Sequence, residues 1–172
     1  MLAACLPKSD SARAIDQRKR ESAQAVRDMR AATDETSRGA DLAGGDLVAA
    51  VLGKTLVDRY QSRPDDKAGS YVVQRYFADD GRFVMTDSPP FESPMASERD
   101  RWRVAHDRLC IQGPPEPGIW KCYRLARTSD GALQSFIADP GSPYDGLLTV
   151  VTREILDGPP PSSARSAETP RD

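Results

Sequence analysis

Trp102-Arg103-Val104-Ala105, Arg108-Leu109-Cys110-Ile111-Gln112 and Ile119-Trp120-Lys121-Cys122-Tyr123-Arg124-Leu125 follow one another closely along the chain. The first two alternate apolar with polar residues at the two-residue period of a strand with one buried face. The third is rich in the aromatic and branched residues that strands favour. His106-Asp107 interrupts the first two runs, as a turn would. Gly113-Pro114-Pro115-Glu116-Pro117-Gly118 separates the last two, and its prolines lack the donors a ladder needs, so it is a loop. An antiparallel pair with Cys110 facing Cys122 sets Ile111 against Lys121 and Leu109 against Tyr123. Directly opposed strand residues lie within the Cα range of a disulfide. Closing this loop contributes about 3 kcal/mol in the chain-entropy model. The register predicts that Leu109, Ile111, Ile119, Tyr123 and Leu125 point inward, with the cystine, Arg108 and Arg124 outward. The alternative is a pair of reduced, buried cysteines in a cytosolic protein. A redox-catalytic dithiol is a poor fit, because such cysteines usually stand two residues apart at a helix start.

The chain has 172 residues, 38 % hydrophobic and 6 % aromatic, which suits one domain with tails and a modest core. A net charge of -2 lacks the basic excess of a nucleic-acid binder. No run approaches the roughly 18 apolar residues of a membrane span.

Leu2-Ala3-Ala4-Cys5 resembles the lipobox of bacterial lipoproteins, in which the cysteine becomes the lipidated N-terminus. The resemblance implies a basic and apolar signal preceding Met1. With Cys5 acylated, the remaining two of three cysteines pair with none left over. Leu6, where a retention aspartate would stand, implies the outer membrane.

Residues 1–45 are predicted to be this lipobox remnant and a polar tether. Asp10 or Ser11 starts a weakly amphipathic helix running toward Ala32, with Ile15, Val26 and Met29 as a thin stripe, marginal in water on its own. As coil, the tether would span about 35 Å. Residues 46–156 are predicted to be the folded domain. Asp46 to Leu52 forms a short helical turn ending at Gly53, and strands follow at Thr55-Leu56-Val57, Ser70 to Ala78 and Arg82 to Thr86. Further strands are the stapled pair, Ala132 to Ala138, and Leu147 to Ile155. Asp79-Asp80-Gly81 and Ser129-Asp130-Gly131 supply hairpin turns. The long break from Asp87 to Glu98 carries Phe91 and Met95, candidate contacts for a partner or an opening. Residues 157–172 read as a disordered tail. The fold class is mainly β, a small antiparallel barrel or sandwich of about eight strands.

Gly53-Lys54-Thr55-Leu56, Tyr76-Phe77-Ala78-Asp79-Asp80-Gly81, Trp102-Arg103-Val104, Asp107-Arg108-Leu109-Cys110 and Cys122-Tyr123-Arg124 together resemble uncharacterised proteobacterial exported proteins with lipocalin-like small β-domains. The resemblance spans about residues 50 to 156 and implies fold and compartment, not activity. Asp58-Arg59-Tyr60 stands where that family often has a glycine.

His106 is the single histidine, and its place beside Asp107 is that of a turn residue. No nucleophile elbow, P-loop, dinucleotide fingerprint or cluster of metal ligands occurs. The acid pairs Asp79-Asp80 and Glu98-Asp100 are neighbours on strands or turns. Arg101 and Arg103 alternate with inward Trp102 and Val104, and join Arg108 and Arg124 in a candidate stripe for an anionic partner. The expected protein is therefore a non-enzymatic, periplasm-facing outer-membrane lipoprotein. Its β-domain binds a small ligand or an envelope partner, and it uses no cofactor, metal or nucleic acid. It meets the membrane only through a lipid anchor on Cys5. Two alternatives are an envelope hydrolase with dispersed carboxylates and a small-barrel protease inhibitor.

Overall fold

The computed structural model describes residues 10–60, 69, 71–87, 100–113 and 118–160. It divides into two units, Met1–Ser37 and Arg38–Asp172. Cys5, Phe91, Met95, Glu98 and the tail beyond Pro160 lie outside the described residues.

The first unit contains α1 (Asp10–Glu35), one continuous helix over the stretch predicted to run toward Ala32. Its length of 26 residues spans about 39 Å at the helical rise. Pairs one turn apart support it: Gln17 donates to Glu21 at 2.9 Å, and Gln24 donates to Asp28 at 2.6 Å. Ile15 is exposed, while Val26, Met29 and Thr33 are half-buried.

The second unit holds β1 (Ala40–Asp41), α2 (Gly44–Val51), β2 (Lys54–Tyr60), β3 (Tyr71–Phe77), β4 (Phe83–Asp87), β5 (Arg101–Ala105), β6 (Arg108–Gln112), β7 (Trp120–Arg127), β8 (Leu133–Ile137), β9 (Leu148–Thr152) and β10 (Glu154–Asp157). They form two antiparallel sheets, one ordered β5-β6-β7-β8-β9 with β1 beside β7, the other β10-β2-β3-β4. The single strand predicted over Leu147 to Ile155 is thus two. It breaks at Arg153 so that β9 pairs with β8 while β10 pairs with β2. At the other side, Arg82 bridges Arg101, Phe83 N donates to Asp100 O at 3.2 Å and Trp102 N donates to Gly81 O at 3.0 Å.

The turns follow the sequence. His106 and Asp107 both have positive φ, 52° and 54°, as a two-residue hairpin turn demands. Gly53 closes α2 at φ 67°, which lets its N–H reach Phe77 O at 2.7 Å. The helix delivers Leu47, Ala50 and Val51 into a core made with Leu56, Phe77, Phe83, Trp102, Leu109, Leu125 and Leu133. Phe77 meets the Trp102 ring edge-on at 5.6 Å, and the indole N–H donates to Ala78 O at 2.8 Å, so the largest core residue has its polar atom satisfied.

Cys110 and Cys122 face each other across β6 and β7 and form a disulfide, in the predicted register. Leu109 and Leu125 are in the core, with Ile111 and Tyr123 packed against it. Two side chains depart from the expected faces. Ile119 is 55 % exposed. It precedes β7, so no ladder fixes its direction. Cys110 is on the face away from the core but is only 3 % exposed. Its cross-strand neighbour Arg103 reaches over the Trp120 ring, 4.2 Å from the centroid.

The segment before α2, predicted to be tether, is instead sewn onto β7 and β8. Gly39 N donates to Gln134 Oε1 at 2.8 Å, Leu42 N donates to Leu125 O at 2.8 Å, and the Arg38 guanidinium lies 4.4 Å from the centroid of the Phe136 ring. A Cβ at Gly39 would come within 2.2 Å of Arg127 O. Backbone cannot yield as a side chain tip can, so Gly39→Ala is expected to lower unfolding free energy by about 1–3 kcal/mol in urea titrations, with α1 helicity unchanged.

Candidate functional site

Strand parity sets one face of β2 as Leu56, Asp58 and Tyr60, and one face of β3 as Tyr71, Val73, Arg75 and Phe77, with Leu56 opposite Arg75 and Tyr60 opposite Tyr71. Leu56 and Phe77 belong to the core, so this face turns inward and carries an acid and a base with it. Asp58 is 0 % exposed. Its Oδ2 lies 2.5 Å from Arg75 Nε, and its Oδ1 accepts from the Thr152 hydroxyl on β9. Arg75 Nη2 and the Ser135 hydroxyl are buried with no hydrogen-bond partner. Buried donors left open cost about 1–3 kcal/mol each, so such atoms are informative.

The electrostatics follow from this burial. Burial opposes the charge on Arg75, yet the Asp58 carboxylate outweighs it and holds the guanidinium pKa above the ordinary value. Tyr60 is pushed up to about 12, first by burial and then by the Asp58 charge, with Arg75 acting in the opposite direction. Tyr123 on β7 adds a smaller upward push to both Tyr60 and Arg75, and the Tyr60 and Tyr71 rings lie 6.3 Å apart, tilted at 43°. Around the pair, the inward residues Tyr60, Tyr71, Met85, Ile111 and Tyr123 are half-buried, whereas Leu56, Phe77, Leu109, Leu125 and Leu133 toward α2 are fully buried.

A raised phenol pKa fixes a direction for stability. The unfolded phenol ionises near pH 10 while the folded one stays protonated, so Tyr60's contribution is full below pH 10 and is lost as pH rises through about 12. Melting temperatures recorded from pH 9 to 12 should fall less steeply for Tyr60→Phe than for the parent chain.

The arginines singled out in the sequence are placed as follows. Arg101 and Arg103 are exposed, and Arg108 and Arg124 are half-buried. All four share the parity of the cystine face. Arg124 Nη2 is engaged by Asp145 Oδ1 at 3.1 Å, and Arg101 Nη1 donates to Asp100 O at 2.9 Å. Arg103 is spread on Trp120. Asp80 is tied to its own turn, where hydrogen bonds from the Arg82 backbone and side chain hold its carboxyl below the usual range. Asp107 accepts from Gly44 N at 2.8 Å. Among the described residues no group of three or more His, Cys, Asp or Glu is placed to hold a metal ion.

Asp58, Tyr60, Arg75, Ser135 and Thr152 were not singled out from sequence. Their signal was parity: Leu56-x-Asp58-x-Tyr60 and Val73-x-Arg75-x-Phe77 put opposite charges on the apolar face of adjacent strands. Compared with family models, curated proteins and solved structures, the chain matches none.

Proposed function

We propose that the Arg38–Asp172 unit is a non-enzymatic module that binds a small ligand inside a lipocalin-like antiparallel barrel. The break at Arg153 and the bridge between Arg82 and Arg101 support a ring of strands, since each joins one sheet to the other. The observation that carries the binding reading is the buried Asp58–Arg75 pair with Arg75 Nη2 unpartnered, surrounded by inward side chains that are only half-buried. Ligand sites of this kind combine apolar walls with a few convergent polar groups. An envelope address is supported by the cystine, which persists in oxidising compartments, and by the lipobox-like Leu2-Ala3-Ala4-Cys5.

N-phenyl-1-naphthylamine, an uncharged apolar fluorophore, tests the binding reading. Its emission should rise and saturate at one equivalent per chain; emission that stays flat or climbs without saturation overturns the proposal. For the address, Cys5→Ser in cells fed radiolabelled palmitate should abolish labelling and move the protein from membrane to soluble fractions. A parent chain that takes up no label would sink the anchor.

A further inference from the structure

We infer that the outward face of β5, β6 and β7 is a docking surface for a bilayer containing anionic phospholipid, a contact separate from any anchor at Cys5. Strand register lays the face out. Arg101 stands opposite Gln112, and Gln112 opposite Trp120; Arg103 stands opposite Cys110, and Cys110 opposite Cys122. One further step along the same register sets Arg108 beside Arg124. These side chains have the parity opposite to that of Leu109 and Leu125, which lie in the core, so they point away from it. Charge on this face is not balanced. Asp145 answers Arg124 at 3.1 Å, but among the described residues neither Arg103 nor Arg108 has a carboxylate in ion-pair range or a hydrogen-bond acceptor. Like charges opposite one another on neighbouring strands are destabilising, so two guanidiniums sharing one carboxylate are a cost that an arriving anion relieves. Arg103 is exposed and held over the Trp120 ring, 4.2 Å from the centroid, with its N–H groups unclaimed. A guanidinium so placed can fork onto a phosphate. The apolar neighbours name the partner. Ile119 is 55 % exposed, and Trp120 beside it is half-buried. At a bilayer the aliphatic chain enters the acyl boundary, the indole sits at headgroup level and the guanidiniums meet phosphates. An acidic protein would answer the arginines but offers no such apolar layer beneath its charges. The whole chain carries a net charge of -2, so attraction to an anionic surface has to come from this face.

The full chain carrying Cys5→Ser, which excludes any acyl chain, is mixed at neutral pH and low salt with vesicles of phosphatidylcholine, alone or with phosphatidylglycerol. It should sediment with the mixed vesicles and not with phosphatidylcholine, and added salt should release it. Of the two tryptophans Trp102 lies in the core, so a blue shift of emission on binding reports Trp120 and should be lost in Trp120→Phe. Arg103→Gln should lower partition about fivefold, and Arg101→Gln, Arg103→Gln and Arg108→Gln together about a hundredfold. Arg59→Gln removes one charge from the outward face of β2 and should change partition less than about twofold. No partition onto the mixed vesicles, equal partition onto phosphatidylcholine, or an Arg59→Gln loss matching that of Arg103→Gln overturns the inference. So does saturable binding to polyglutamate by a chain that ignores the vesicles, which would assign the face to an acidic protein. Should the triple variant not fold, Arg103→Gln and the emission shift decide. The interior binding reading stands or falls separately, since none of these substitutions reaches the inward face.

Discussion

Asp58→Ala should lower the free energy of unfolding by about 3–5 kcal/mol, enough to leave a domain of this size barely folded. The reason lies in what remains. The substitution leaves Arg75 charged, buried and without its counter-ion, and the Thr152 hydroxyl without its acceptor. Asp58→Leu with Arg75→Met removes both charges and restores apolar volume, so it should recover most of the loss, as replacing whole buried ion pairs often does. Only a double variant more stable than the parent would show that the pair costs the parent chain stability. Surface pairs set the comparison. Arg59 and Glu154 meet at 2.7 Å across neighbouring strands with both side chains about half exposed, and Arg59→Ala should change stability by less than about 1 kcal/mol. Urea titrations followed by Trp fluorescence resolve these differences. Equal losses for Asp58→Ala and Arg59→Ala would mean that water reaches the pair freely and that its burial has no energetic consequence.

The stapled hairpin was legible because alternation, loop prolines and cysteine spacing all favour one register, and the structure places Cys110 opposite Cys122 in that register. Ile119 was misassigned because a residue just before a strand has no ladder to fix its side-chain direction. β1 was invisible for a different reason: two residues carry no period, and Ala40–Asp41 is a strand only because β7 offers an edge beyond the end of β6. The end of α1 at Glu35, beyond the expected Ala32, was not legible, because the thin apolar stripe fades there while polar pairs one turn apart, such as Gln24 with Asp28, run along the helix. The central pair was missed because the predicted strand stopped at Val57, leaving the segment Asp58-Arg59-Tyr60 outside it. In the structure it is the end of β2, and an acid becomes tolerable on an inward face once Arg75 occupies the same face of the adjacent strand. Such pairing is a tertiary fact. Neither charge alone announces it, since each read singly suggests a solvent-facing position.

Replacing both hairpin cysteines, Cys110→Ala with Cys122→Ala, should cost about 3 kcal/mol while leaving the β-sheet spectrum in place. The sequence separation of 12 sets the loop whose freedom the bond removes from the unfolded chain, and the chain-entropy model gives that figure for a loop of this length. Alanine is the right substitute because Cys110 is buried and serine would bury an unsatisfied hydroxyl there. The native hairpin keeps other constraints. Ile111 pairs with Lys121 and Leu109 with Tyr123, and Leu109 and Leu125 stay in the core, so the folded state should survive at reduced stability. The loss should therefore appear as a lower urea midpoint with an unchanged or slightly larger slope, the unfolded chain being less constrained. Adding dithiothreitol to the parent chain should reach the same midpoint once the disulfide is reduced. A double variant within about 1 kcal/mol of the parent would show that cross-strand packing alone holds the register, and that an oxidising compartment contributes little to keeping this domain folded.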